Sequence, residues 1–78
     1  MNFKIYSKEN CPYCYKVKTV LELTGTNFQL LKLDEDFTKE EFYSEFGEGS
    51  TFPQVVLGGA NLGGCTETVK YLRENNLV

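Results

Sequence analysis

Polar and apolar positions change their spacing several times along this chain, and each change marks an element. Phe3 to Tyr6 reads as a short first strand. From Pro12 to Thr24 the apolar residues Cys14, Val17, Val20 and Leu21 recur at i, i+3, i+6 and i+7, the spacing of a buried helix face. Gly25 follows as the residue that closes this helix. The segment Phe28-Gln29-Leu30-Leu31-Lys32-Leu33 is apolar on both alternating faces, which predicts a central strand, parallel to the first through a right-handed crossover. Thr38-Lys39-Glu40-Glu41 has the form of a capping box; Phe42, Tyr43 and Phe46 give the helix behind it an apolar side before Gly47 and Gly49 end it. Val55-Val56-Leu57 and Ala60-Asn61-Leu62 flank Gly58-Gly59, a two-residue turn that signals an antiparallel hairpin. After Gly63-Gly64 a last helix runs from about Thr66 to Asn75, with Val69 and Leu72 facing inward.

The order is βαβαββα, with short connections and no repeat, linker or low-complexity stretch. Parallel strands joined by a helix, then a hairpin with a helix packed back on it, make a four-stranded mixed sheet flanked by three helices. This is a thioredoxin-like α/β fold in one domain over residues 1–78. A chain of 78 residues buries only about 60% of its extended surface, so nearly every apolar side chain is needed for the core. Hydrophobic residues at 41% and aromatics at 14% suffice for that.

Net charge is −3, which gives no support to nucleic-acid binding, where a basic face is the minimum requirement. Its distribution is uneven. Residues 1–20 hold Lys4, Lys8, Lys16 and Lys18 against Glu9, a local +3, whereas the remainder holds four basic and ten acidic side chains, a local −6. An anionic ligand is drawn to the N-terminal part. No apolar run is long enough for a signal peptide or a membrane span, and three cysteines, an odd number, argue against a secreted disulfide framework. The expected setting is the reducing cytoplasm.

That setting makes Cys11-Pro12-Tyr13-Cys14 a redox candidate, because the tetrapeptide lies where the first strand gives way to the first helix. Two side chains three residues apart at a helix start lie within about 5–6 Å of each other, so a disulfide closes without moving the backbone. Pro12 suits the first helical position, which puts Cys11 at the N-cap. There the free N–H groups of Tyr13 and Cys14 and the positive helix end favour the thiolate of Cys11. Cysteines so placed titrate at roughly 3.5–7.5. Cys14, facing the core without those donors, keeps its proton, so the pair divides into attacker and resolver.

Three motifs in order, Cys11-Pro12-Tyr13-Cys14, Thr51-Phe52-Pro53 and Gly63-Gly64-Cys65-Thr66-Glu67, resemble those of the dithiol glutaredoxins, and the resemblance covers essentially the whole chain. It implies a glutathione-dependent oxidoreductase acting through Cys11 and Cys14, with no tightly bound cofactor and no metal. It further implies a cis bond before Pro53, with the backbone of Phe52 beside Thr51 pairing with the cysteinyl part of glutathione. Thr66 and Glu67 stand where relatives bind the γ-glutamyl carboxylate and amine, although Asp is commoner than Glu there. Lys8 matches the basic position for the glycyl carboxylate, and Tyr13 is the exposed rim of the site. A second glycyl contact, usually Gln or Arg on the second helix, is missing between Glu40 and Gly49. Cys65 reads as a buried small hydrophobe, with a regulatory thiol as the alternative.

The activity implied is reduction of glutathione mixed disulfides through Cys11 alone and of protein disulfides through both cysteines, in a monomer. Ribonucleotide reductase is an acceptor by resemblance only. A rival recharged by thioredoxin reductase would lack Lys8, Phe52, Thr66 and Glu67. Zinc needs about four ligands, and the chain has three cysteines and no histidine. An iron–sulfur cluster shared between two chains stays open as an alternative, with Pro12 weighing against it.

Overall fold

The computed structural model describes residues 2–77. Its elements are β1 (Asn2–Ser7), α1 (Pro12–Leu23), β2 (Asn27–Lys32), α2 (Lys39–Phe46), β3 (Gln54–Leu57), β4 (Ala60–Gly63) and α3 (Cys65–Glu74). The sheet order is β2-β1-β3-β4. β1 runs parallel to β2, with Asn2 opposite Asn27 and Ser7 opposite Lys32, and antiparallel to β3, with Phe3 opposite Leu57. β3 and β4 form the expected hairpin, closed by Gly58 and Gly59 between the paired Leu57 and Ala60.

Alternation along β1 sorts the core into two layers. Phe3 and Ile5 point to one face, where they pack with Val17 and Leu21 of α1, Val55 of β3 and Cys65 and Leu72 of α3. Tyr6 points to the other face and meets Phe37 and Phe46 edge-on, at ring-centroid distances of 5.1 and 4.9 Å. This second layer is aromatic because α2 is short. Its capping box forms as expected, with Thr38 Oγ1 accepting from Glu41 N–H and Glu41 Oε1 accepting from Thr38 N–H. With only eight residues, α2 depends on tertiary packing for its persistence. Phe42, 1% exposed, supplies that anchor.

β2 departs from expectation: it is an edge strand, paired only with β1, and not a central one. Its apolar residues on both faces report layers above and below the strand. Phe28 and Leu30 pack against the main core, whereas Leu31 lies opposite Tyr6 in the register and so shares the aromatic face. Covering both faces leaves the lateral edge open. The helix ends differ by a residue: α1 stops at Leu23, with Gly25 beyond the cap at φ +69°, and α3 starts at Cys65, which places Thr66 inside the first turn.

Candidate active site

Asn10, in the left-handed region at φ +56°, turns the chain out of the β1 loop and delivers Cys11 in extended geometry to the N-cap of α1. Asn accepts that region more readily than most residues. Pro12 occupies the first helical position as read from the sequence. Cys11 and Cys14 are joined as a disulfide across a Cα–Cα distance of 5.3 Å, and the Cys14 N–H donates to Cys11 Sγ at 3.2 Å. Cys14 is buried and Cys11 half-buried, so Cys11 is the sulfur a reagent reaches first. The same N–H and the helix N-terminus remain to stabilise negative charge on Cys11 once the disulfide is reduced.

A groove of about 160 Å³ is lined by Tyr13, which lies between the two cysteines in sequence, and by Thr51, Phe52, Pro53, Thr66 and Glu67, together with Gly64 and Cys65. Six of the positions singled out in the sequence therefore converge on one surface. The Phe52–Pro53 bond is cis. Tyr13 stands at the rim, 61% exposed. Lys8, on the β1–α1 loop, is not among the residues that line this groove; its Nζ lies 5.4 Å from the centre of the Phe52 ring, which does line it. That ring in turn stacks on Phe42 at 4.1 Å and an interplanar angle of 10°. The sequence did not mark Phe42 as a site residue. Its link to the groove runs through Phe52, ten positions away, and only the fold brings the two rings together.

At the other end the paired glycines have a packing reason. Gly64 is the N-cap of α3, and its N–H donates to Glu67 Oε1 at 2.7 Å. A Cβ at Gly63 or Gly64 would come within 3.1 Å of the Glu67 side chain, and Gly63 sits at φ +104°. Glu67 thus serves the helix cap with one oxygen and keeps a second for a cation. The N–H groups of Cys65, Thr66 and Glu67, in the first turn, have no intrahelical acceptor and face the requirement of an anion.

Cys65 is 7% exposed and free. Burial pushes its thiol above the ordinary value, opposed by Lys16 and reinforced by Glu67. Burial, with help from Glu45, likewise raises the Tyr6 phenol. A raised folded-state value means that the unfolded chain loses its proton first as pH climbs, so this part of the stability is intact below the ordinary thiol value of 9.0 and is lost above it. We expect urea midpoints to fall from about pH 9 upward, with Cys65→Ala flattening part of the fall. A midpoint in Cys65→Ala with the same alkaline slope as the wild type would remove Cys65 from the account.

A βαβ unit that presents a half-buried cysteine at a helix N-cap, disulfide-linked to a buried cysteine one turn on, in a chain with a cis-proline before β3, defines a thiol–disulfide oxidoreductase of the thioredoxin-like class. Comparison narrows the class. The family profile for glutaredoxin matches residues 3–61, and the chain belongs to the glutaredoxin family. It is 36% identical over 66 residues to Glutaredoxin 3 of Escherichia coli K12, covering 85% of this chain and 80% of that one. Glutaredoxin-C6 of Oryza sativa subsp. japonica is 35% identical over 77 residues, 95% of this chain and 69% of that protein. Among solved structures, reduced Escherichia coli glutaredoxin superposes over the full length of both chains with a TM-score of 0.84 at 25% identity. A buckwheat glutaredoxin–glutathione complex gives a TM-score of 0.79 at 28% identity, covering 96% of this chain and 71% of that one.

Proposed function

We propose that this glutaredoxin uses glutathione as its reducing co-substrate, with Cys11 as nucleophile and Cys14 as resolving thiol. The observation that carries this reading is the groove in which Tyr13, the residue between Pro12 and Cys14, meets Phe52-Pro53 and the start of α3. The γ-glutamyl carboxylate of glutathione meets the free N–H groups at Thr66, its ammonium meets the second oxygen of Glu67, and Lys8 takes the glycyl carboxylate. Thr51 and the backbone of Phe52 hold the cysteinyl part against Pro53, and Tyr13 covers the rim.

Bound this way, a glutathione mixed disulfide offers its glutathione sulfur to the Cys11 thiolate. The attack breaks the S–S bond, the released thiolate takes a proton from solvent, and Cys11 is left glutathionylated. A second glutathione thiolate attacks the glutathione sulfur of that adduct, giving oxidised glutathione and free Cys11. With a protein disulfide the adduct is to the protein, and the Cys14 thiolate displaces it, closing the Cys11–Cys14 disulfide and releasing the substrate dithiol. Cys14 is one helical turn away, so the step is intramolecular and has a large effective concentration. The acceptors are glutathionylated and disulfide-bearing proteins, ribonucleotide reductase among them. The protein works as a monomer in the reducing cytoplasm, with sulfur chemistry that needs no resident cofactor.

Coupling to glutathione reductase and NADPH tests the reading directly, with turnover of a glutathione mixed disulfide expected; a folded protein with none would overturn it. In the same assay Glu67→Gln keeps an acceptor for the Gly64 cap but loses the charge that meets the ammonium. Its KM for glutathione substrates rises about five- to tenfold, the size of the difference between a charge-assisted and a neutral hydrogen bond, with kcat within about a factor of two.

A further inference from the structure

The proposed glutathione groove takes Tyr13 from the Cys11–Cys14 loop but neither cysteine among its lining residues. Cys11 and Cys14 both line a second and larger cleft of about 710 Å³, between α1 and the open edge of β2. Lys8, Lys18 and Lys32 enter it from three different segments, and Glu9 is the one carboxylate among its lining residues, in a chain whose net charge is −3. Lys18 also pairs with Glu22 one turn along α1, Nζ to Oε1 3.9 Å.

The wall contributed by β2 carries unpaired backbone. Leu33 N–H donates to the Ser7 carbonyl of β1, whereas Lys32 N–H points the other way and donates to Asp36 Oδ2. Alternation along the strand therefore turns the N–H and C=O of Leu30 away from the sheet, on the side of this cleft. An open strand edge accepts an extended chain by main-chain pairing, while side-chain chemistry beside it selects the sequence.

We propose that this cleft docks an extended acidic segment of the disulfide-bearing protein substrate, laid along β2 at Leu30 and held by Lys18 and Lys32, so that its cysteine reaches Cys11. The inference rests on the proposed function of the Cys11–Cys14 pair and adds to it a second recognition surface. Glutathione is read on the Pro53 side, and the polypeptide on the β2 side. The lysines act on encounter and orientation of an anionic chain, which makes the contribution dependent on salt.

The test uses the full chain and two substrates. One is a peptide with an internal disulfide flanked by Asp and Glu; the other is the mixed disulfide of glutathione with 2-mercaptoethanol. In the double variant Lys18→Glu/Lys32→Glu, kcat/KM for the acidic peptide falls about tenfold at low ionic strength, and the loss fades at about 0.5 M salt. Turnover of the small mixed disulfide stays within about a factor of two, and a Lys-flanked version of the peptide becomes a better substrate of the variant than of the wild type. An acidic peptide reduced equally well by both proteins would overturn the docking surface and leave the glutathione reading standing. Equal losses on both substrates would assign the lysines to glutathione, again overturning it. Failure of the wild type on the small mixed disulfide would instead remove the proposed function itself. N-methylation of alternate peptide amides lowers kcat/KM where strand pairing holds the segment, and an unchanged value would overturn the pairing at Leu30.

Discussion

Cys11→Ser abolishes turnover of glutathione mixed disulfides, by about a thousandfold or more, whereas Cys14→Ser retains it and loses reduction of protein disulfides. The asymmetry follows from position. Cys11 is the half-buried N-cap sulfur that receives the Cys14 N–H, and no neighbouring group substitutes for a nucleophile that forms the covalent intermediate. Serine in its place keeps the cap but has a hydroxyl that stays protonated near neutral pH. Cys14 is 4% exposed and enters only when an adduct on Cys11 must be displaced from within the chain. Glutathione in solution performs that displacement for the small adduct, so Cys14 is dispensable there. The two variants are compared on both substrate types at equal enzyme concentration. Residual activity of Cys11→Ser above a few per cent would move the nucleophile elsewhere, and parallel loss of both activities in Cys14→Ser would eliminate the single-cysteine route.

Phe42→Ala lowers stability by about 3–5 kcal/mol, the usual cost of removing a buried aromatic ring and leaving its cavity. Phe42 stacks on Phe52 and also meets Phe37, Tyr43 and Phe46, at 5.9, 5.6 and 5.0 Å between ring centres, so one truncation strips a partner from four rings. Domains hold about 0.05–0.15 kcal/mol per residue in reserve, so the loss consumes a large part of what a chain this small has. The melting temperature, followed by circular dichroism, drops by roughly 10–40 °C. A drop under about 5 °C would show that the second layer is not supported by this ring. Phe42→Leu is the milder companion; it keeps the fold while loosening the stack that carries Phe52, and KM for glutathione substrates rises with kcat little changed.

These two expectations differ in how they could have been reached. Cys11 and Cys14 are legible in the chain because the chemistry is local: four consecutive residues specify the cap, the proline and the spacing. The capping box at Thr38, the Gly58-Gly59 turn and the inward face of α1 are local in the same sense, and all three form as read. Phe42 against Phe52 is not local, since nothing between residues 42 and 52 states which faces meet. The position of β2 escaped for a related reason. Period-two patterning reports what lies above and below a strand, and Phe28, Leu30 and Leu31 have both, but it is silent about lateral neighbours. The second duty of Glu67, binding Gly64 N–H, was hidden because the helix begins a residue earlier than its side chains indicated.

The open edge of β2 also bears on how the protein behaves in its own company. A row of unpaired peptide groups invites identical chains to join edge to edge, the first step toward insoluble assemblies. Here Asp36 occupies the Lys32 N–H, which shortens the exposed row, and every copy brings Lys18 and Lys32 to the same margin. The lysines of two such margins repel each other within the roughly 10 Å over which charges are felt at 0.1 M salt. The lysines that would welcome an acidic stranger therefore turn away a sibling, and solubility and substrate choice become two readings of the same pair of charges.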